Sequence, residues 1–151
     1  MFKHVLVPVD GSRFSEGAID YATQLLAGGT GELSLVIVVP NYVAASFPGS
    51  NLPGAAELGN RHKQLAEQYV AQKAHEVSSL AGVPAKGVAL KGSPAEEISD
   101  FAARTRADLI VISSHGITTS STEKDAVRLG SVAFRVMSIA TCPVLLLRPS
   151  V

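Results

Sequence analysis

VLVPVDGS, Val5–Ser12, is a run of β-branched residues followed by a turn signal. Two later segments have the same character, LSLVIVV from Leu33 and DLIVIS from Asp108. All three runs are continuous rather than alternating, which is typical of strands buried on both faces. They predict a parallel sheet that is covered by helices on its two sides.

Strands and helices alternate along the chain. Two shorter runs, Gly87 to Leu90 and PVLLLR from Pro143, bring the predicted strands to five. Apolar residues at helical spacing predict four helices, over 15–27, 61–82, 93–107 and 129–140. The alternation predicts an α/β fold, a single open doubly wound parallel sheet with right-handed crossovers and helices on both faces. A chain of 151 residues is expected to form one domain, 1–151.

Some details of these elements are also predicted. The spacing places Tyr21 and Leu25 on the buried face of the first helix, and Val132 and Met137 on or beside that of the last. Pro40 to about Asn60 is rich in Pro, Gly and Ser and is predicted to be one long irregular loop. Loops of that length in compact domains usually have a function.

Composition excludes several classes of protein. Thirteen basic residues balance thirteen acidic ones, so no nucleic-acid or anionic membrane partner is expected. The longest apolar runs are far shorter than the roughly 20 residues of a membrane-spanning helix, which argues against membrane insertion. The single cysteine, Cys142, excludes an internal disulfide and suits a reducing interior, so the predicted location is the cytoplasm.

Two predicted strands end in residues that could bind a ligand. In an open α/β sheet the crevice lies at the carboxyl ends of the strands, where the strand order reverses. Asp10 follows the first strand, and its carboxylate could accept from a ribose hydroxyl or hold Mg²⁺ through water. Because Asp-Gly is also a common turn signal, Asp10 could instead be a turn or cap residue.

The fourth strand leads into SSHG and a polar segment that ends at Gly130 and Ser131. The amides at the start of the helix that follows could bind phosphate together with the turn at Gly116. The alternative is a solvated connector with Ser131 as a helix cap. His115 has no neighbouring His or Cys to form a zinc site, and neither a P-loop nor a Gly-x-Gly-x-x-Gly motif occurs.

Taken together, VLVPVDGS, DLIVISSHG and the terminal LGSVAFRVMSIATCPVLLLR resemble the universal stress protein family, A type. The resemblance extends from about Phe2 to Arg148. It implies an adenine nucleotide alpha hydrolase-like fold with five parallel strands in the order 3-2-1-4-5. It also implies a homodimer that pairs through the last strand.

Nucleotide-binding members of this family carry Gly-x2-Gly-x9-Gly-Ser/Thr, and this sequence departs from that motif twice. Ser113 replaces the first glycine, and thirteen residues, 117–129, separate Gly116 from Gly130 where nine are expected. The four extra residues lengthen the loop, and their acidic side chains could repel a triphosphate unless Lys124 or a metal ion compensates. The extension could equally bulge outward and leave both anchors in place, because loop closure entropy grows slowly with length.

The resemblance implies a set of contacts to an adenine nucleotide, with ATP favoured over AMP or ADP. Adenine and ribose would meet the end of the first strand and one residue of the second. The phosphates and ribose would meet the segment after the fourth strand. The residues carried over are Pro8, Val9, Asp10, Val38, Ser113, Gly116, Gly130, Ser131 and Val132.

Three functions fit the sequence. The first is a small dimeric regulator or sensor that binds an adenine nucleotide in the crevice between the first and fourth strand ends. The second is a nucleotide-free interaction module whose altered phosphate loop screens the crevice, with Pro40 to Asn60 contacting an unidentified protein partner. The third is a slow ATPase that positions Mg²⁺ with Asp10, although the sequence shows no general base besides His115.

Overall fold

The computed structural model describes residues 1–41, 55–115 and 129–148, which form five strands and four helices in strict alternation. The strands are β1 (His4–Val9), β2 (Glu32–Val39), β3 (Ala85–Lys91), β4 (Leu109–Ser113) and β5 (Val144–Leu147). The helices are α1 (Arg13–Leu26), α2 (Ala55–Ala81), α3 (Pro94–Thr105) and α4 (Ser131–Ile139). Each predicted strand and helix is present.

The strands form one parallel sheet in the order β3-β2-β1-β4-β5, which is the order that the family resemblance implies. β1 pairs with β2 over its whole length, from His4↔Glu32 to Val9↔Ile37. Its pairing with β4 is shorter and consists of Val5↔Leu109 and Leu6↔Ile110. β1 is therefore the central strand, and the strand order reverses between β1 and β4.

The sheet separates two hydrophobic clusters, since successive side chains of a strand point to opposite faces. Val5, Val7 and Val9 of β1 pack in the first cluster with residues of α1 and α2. Leu6 packs in the second cluster with residues of α3 and α4. All six residues of β1 are buried, which explains why its sequence lacks alternation.

α2 begins at Ala55, six residues before the predicted start at Arg61. The predicted loop from Pro40 to Asn60 is therefore wrong over its last six residues, and 42–54 lie outside the described residues. Ala55, Ala56 and Glu57 favour a helix strongly enough to outweigh Gly59. Farther along, α2 packs closely on β3, because a Cβ at Gly87 would overlap the backbone of Val70.

The predicted apolar faces are too wide at two helices. In α1, Ala18, Ile19, Ala22 and Leu26 are buried, whereas Tyr21 is 43% exposed and Leu25 36% exposed. In α4, Ala133 and Val136 are buried, whereas Val132 is 37% exposed and Met137 48% exposed. In both helices the outlying apolar residues lie at the edge of the stripe that meets the sheet.

A polar cluster closes the amino-terminal edge of the sheet. Asp108 Oδ2 accepts from the backbone N–H groups of Lys3 (2.7 Å) and His4 (2.8 Å). The buried His4 ring places Nε2 2.8 Å from Ser34 Oγ and Nδ1 3.3 Å from the carbonyl of Thr105 at the end of α3. These bonds fasten the start of β1 to β2, β4 and α3.

Within the described parts of the chain, no helix is long and apolar enough to cross a membrane.

Candidate functional site

A proline opens the carboxyl-terminal half of the sheet between β1 and β4. The His4 carbonyl accepts from the Asp108 N–H (2.8 Å), so the backbone polar groups of His4 face β4. These groups alternate along a parallel strand, so Leu6 and Pro8 also face β4. Pro8 has no N–H to donate, and the pairing of β1 with β4 stops at Leu6↔Ile110. The two strands are left unpaired beyond that point.

A cavity of about 420 Å³ lies at this opening. Its volume is within the usual range for small-molecule sites. Its walls come from the ends of β1, β2 and β4 and from the first turns of α3 and α4. The lining residues are Pro8, Val9, Asp10, Ser15, Val36, Ile37, Val38, Pro40, Pro94, Ile98, Ile112, Ser113, Ser114, His115, Gly130, Ser131, Val132 and Ala133.

Eight of the nine residues that the sequence singled out line this one cavity. They are Pro8, Val9, Asp10, Val38, Ser113, Gly130, Ser131 and Val132. The ninth, Gly116, lies outside the described residues, as do 117–128 of the lengthened loop. Their roles in binding stay predictions, but their convergence from separate elements is a property of the fold.

Asp10 shapes the turn between β1 and α1. Its Oδ1 accepts from the N–H of Ser12 (2.9 Å), and Gly11 between them has a φ of +82°. Ser12 then caps α1, with its Oγ accepting from the N–H of Ser15 (3.2 Å). Asp10 therefore has the turn role that Asp-Gly predicts, and its exposed carboxylate also borders the cavity. Coordination of Mg²⁺ by Asp10 stays a prediction.

The residues after β4 form a tight hydrogen-bonded corner. Ser113 Oγ donates to the carbonyl of His115 (2.6 Å), and Ser114 Oγ lies 2.7 Å from His115 Nδ1. Ser114 and His115 are buried, and the His115 ring lies 5.7 Å from that of Phe14, centroid to centroid. Because the Ser113 hydroxyl hydrogen is used inside this corner, it cannot at the same time donate to a phosphate.

α4 starts directly above this corner. The N–H of Gly130 donates to the carbonyl of Ser114 (2.8 Å), and a Cβ at residue 130 would lie 3.1 Å from the same oxygen. Gly130 is the N-cap, so Ser131 is the first helical residue and not the cap. The first intrahelical bond runs from Phe134 N–H to the Gly130 carbonyl (3.0 Å). The amides of residues 131–133 precede it and are available to an anion.

The polarity of the cavity changes from its β2 side to its α4 side. Near β2 it is apolar, with Ile37, Val38 and Pro40 opposite Ile98. Near α4 it presents backbone amides at the positive end of the helix dipole. Asp10 and His115 are its ionisable groups among the described residues, which contribute neither Lys nor Arg to the lining. The part of the chain that the structure describes contains no cluster of three or more His, Cys, Asp or Glu suited to a metal ion.

Comparison with protein families matches residues 1–148 to the universal stress protein family. The chain belongs to this family. A universal stress protein of Methanocaldococcus jannaschii is 32% identical over 148 residues, which cover 98% of this chain and 83% of that protein. Universal stress protein YxiE of Bacillus subtilis is 33% identical over 156 residues, covering 98% of this chain and all of that protein.

Solved universal stress proteins share the fold. UspA from Lactobacillus plantarum superposes with a TM-score of 0.79 at 24% identity, with 97% of each chain covered. Two further structures were solved with ligands. One universal stress protein is in complex with cAMP (TM-score 0.65, 23% identity, 99% and 98% covered). Another, from Archaeoglobus fulgidus, is in complex with dAMP (TM-score 0.58, 20% identity, 97% of each chain covered).

The sequence did not single out the lining residues that α3 contributes to the cavity of this universal stress protein. Pro94 and Ile98 belong to the first turns of α3 and form the wall opposite β2. Their signal was available, because a helix that follows β3 must start at the carboxyl-terminal edge of a parallel sheet. Ser114 contributes through its backbone, which accepts from the Gly130 N–H and donates to the Leu147 carbonyl (2.7 Å).

Proposed function

We propose that this universal stress protein is a regulator or sensor that binds an adenine nucleotide in the 420 Å³ cavity. The observation that carries the proposal is the interrupted pairing of β1 with β4, which places an apolar recess and a set of helix amides in one opening. A nucleotide has the matching polarity, with a flat apolar base at one end and an anion at the other. The cAMP and dAMP complexes of proteins with the same fold support this choice.

The adenine would lie at the end of β2. Glu32 N–H donates to the Lys3 carbonyl (2.8 Å), so even-numbered residues of β2 face β1. β1 ends at Val9, paired with Ile37, and the carbonyl of Val38 therefore points past the end of β1. An amino group such as that of adenine could donate to this carbonyl, whereas the carbonyl oxygen of guanine could not. The site is expected to prefer adenine to guanine for this reason.

The first phosphate would lie at the start of α4 rather than α1, although both helices begin at this edge of the sheet. In α1 the Ser12 side chain already accepts from the N–H of Ser15. At α4 the N-cap is a glycine, which has no side chain to compete for the amides of residues 131–133. The available amides and the helix dipole together favour an anion there.

The preference for ATP, with Mg²⁺ held through Asp10, is the finer part of the proposal. In the sequence between His115 and Leu129, which lies outside the described residues, Lys124 and Arg128 could balance the charge of further phosphates. The acidic residues of the same segment favour the opposite result, so AMP and ATP are separate arms of the test. The homodimer, the cytoplasmic location and binding without turnover belong to the same proposal.

Titration calorimetry with adenosine, AMP, ATP and GMP tests the site, using two variants of one residue. Ser131→Pro removes a single amide hydrogen where a helix tolerates proline, and Gly130 before it has a suitable ψ of 147°. Its affinity for AMP should fall about tenfold, the usual value of a hydrogen bond to a charged group, while adenosine is unaffected. Ser131→Ala keeps the amide and should bind AMP like the wild type.

Failure of the wild type to bind any of the four compounds would refute the proposal. The nucleotide-free interaction module would then take its place. One observation favours a partner surface independently of the nucleotide. Leu58 and Leu65 of α2 are 57% and 55% exposed and belong to neither hydrophobic cluster.

A further inference from the structure

The proposed site binds an anion without a cationic side chain among the described residues of its lining. Backbone amides supply donors but no net charge, and Asp10 adds a negative charge at the rim of the cavity. Phosphate sites in proteins usually include Arg or Lys, since charge-assisted hydrogen bonds are about twice as strong as neutral ones. A basic residue close to the start of α4 is therefore expected.

Among the described residues, Arg135 is the basic residue of α4. It lies on α4 four residues after Ser131, so the two side chains project from the same face of the helix. Side chains on a helix lean toward its amino terminus, so an Arg135 side chain released from Glu96 could extend along α4 toward the amides of residues 131–133. Its side chain is 57% exposed and can change direction without repacking the core.

Arg135 forms an ion pair with a carboxylate of α3, a helix that contributes two residues to the cavity wall. Its Nε lies 3.1 Å from Oε1 of Glu96, which is in the first turn of α3. Pro94 and Ile98, on either side of Glu96 in sequence, line the cavity. The ion pair therefore joins the first turn of α3 to α4, the helix at the proposed phosphate end.

Glu96 remains hydrogen-bonded without Arg135. Its second oxygen, Oε2, accepts from Ser93 Oγ at 2.7 Å. This bond is the largest cause of a lowered pKa for Glu96, with the contact to Arg135 adding to it, so Glu96 is a carboxylate at neutral pH. An exposed pair with one close contact contributes little to stability. Release of Arg135 from Glu96 is therefore inexpensive.

Phosphate is the better partner for an arginine. The planar guanidinium presents paired donors that match two phosphate oxygens, and a phosphate group carries more negative charge than a carboxylate. We propose that Arg135 is the phosphate-binding cation of this site and that Glu96 competes with phosphate for it. This inference rests on the proposed nucleotide function and adds the residue that recognises the anion.

Charge-neutralising variants separate this role from that of a simple brace between α3 and α4. Calorimetry at an ionic strength of about 0.15 M, where the Debye length is about 8 Å, is performed with adenosine, AMP and ATP on Arg135→Gln and Glu96→Gln. Arg135→Gln should weaken AMP and ATP about tenfold. Glu96→Gln should strengthen both about threefold, because the competing anion is gone. Adenosine, which has no phosphate, should bind all variants equally.

Matched controls account for net charge. Arg104→Gln removes a positive charge near the far end of α3, where Arg104 lies over the Phe101 ring. Glu67→Gln removes a negative charge from an ion pair with Lys63 on α2. Neither substitution should alter nucleotide affinity by more than about twofold, since surface charges beyond a Debye length are screened.

Three results would overturn the inference. Equal weakening by Arg135→Gln and Glu96→Gln would identify a brace, and an equal effect on adenosine would show a general change of the cavity. Wild-type affinity in both variants would exclude any contact. In each of these cases the wild type still binds AMP and the proposed function stands, whereas absence of all binding by the wild type would remove both proposals.

Discussion

Ser113 and Gly130, two small residues that line the cavity, shape it in different ways. Ser113 is useful for its hydroxyl, which holds the His115 carbonyl and tightens the turn after β4. Gly130 is useful for its missing side chain, which allows the Ser114 carbonyl to approach. The sequence predicted that both residues would lie at the site. It could not predict the hydroxyl's partner, because a bond between residues two apart depends on the direction in which the chain turns.

Two other glycines should respond to alanine with opposite signs. A Cβ at Gly87 of β3 would overlap the backbone of Val70, so Gly87→Ala should destabilise the protein by about 1–3 kcal/mol. Gly17 lies exposed within α1 with no atom within 4 Å of its added Cβ, so Gly17→Ala should stabilise by about 0.5–1 kcal/mol. Urea unfolding measures both changes. A neutral result for Gly87→Ala would contradict the close packing of α2 on β3.

Strands were more predictable than helix boundaries at the scale of the elements. β1, β2 and β4 are largely buried, so burial alone selects their β-branched residues. The start of α2 was missed because residues 57–65 are exposed apart from the half-buried Gly59, and an exposed segment carries no apolar pattern that would mark it as helix. Tyr21 and Leu25 fit the helical spacing but lie beyond the width of the contact with the sheet.

Asp108 joins two elements and should make stability depend on pH. The amide of His4, and then that of Lys3, lowers the pKa of this carboxyl in the folded protein. Its contribution is therefore complete above the unfolded pKa of about 3.9 and is lost as the pH falls through the folded value. Asp108→Asn resembles the protonated acid, so it should destabilise the protein at pH 7, and its difference in stability from the wild type should shrink as the pH falls below about 3.9.

Urea unfolding of wild type and Asp108→Asn at about pH 7, 5 and 3 measures this difference. Asp100→Asn, at an exposed position on α3, serves as the control for loss of one negative charge. A gap between wild type and Asp108→Asn that stays constant with pH would show that the carboxylate charge is not what holds the start of β1.

At the scale of the whole molecule, strand order was the part that local pattern could not supply. The five runs look alike, and many orders satisfy the rule of right-handed crossovers. The order β3-β2-β1-β4-β5 followed from the resemblance to a known family and was confirmed. The convergence of residues from β1, β2, β4 and α4 depends on that order. The contributions from α3 were not predicted, although a helix that follows β3 starts at the same edge of the sheet.

The proposed homodimer can be tested through the direction of backbone groups on β5. Ile110 N–H donates to the Pro143 carbonyl and Ser114 N–H to the Leu147 carbonyl, so odd-numbered residues face β4. Leu146 therefore faces outward, and Leu146→Pro removes an edge donor without breaking the bonds to β4. Size exclusion with light scattering should show a dimer for the wild type and for Leu146→Ala, and a monomer for Leu146→Pro. A dimeric Leu146→Pro would exclude pairing through this edge.

Pro8 limits the pairing of β1 with β4 and leaves room for the cavity. Any other residue at this position would carry an N–H directed at β4, and one more interstrand bond could then form where the recess begins. Substitution of Pro8 would therefore make the pairing of β1 with β4 more rigid and the cavity narrower. A descendant protein that no longer bound a ligand would not be under selection to keep proline at this position. Retention of Pro8 among descendants would therefore indicate continued selection for binding.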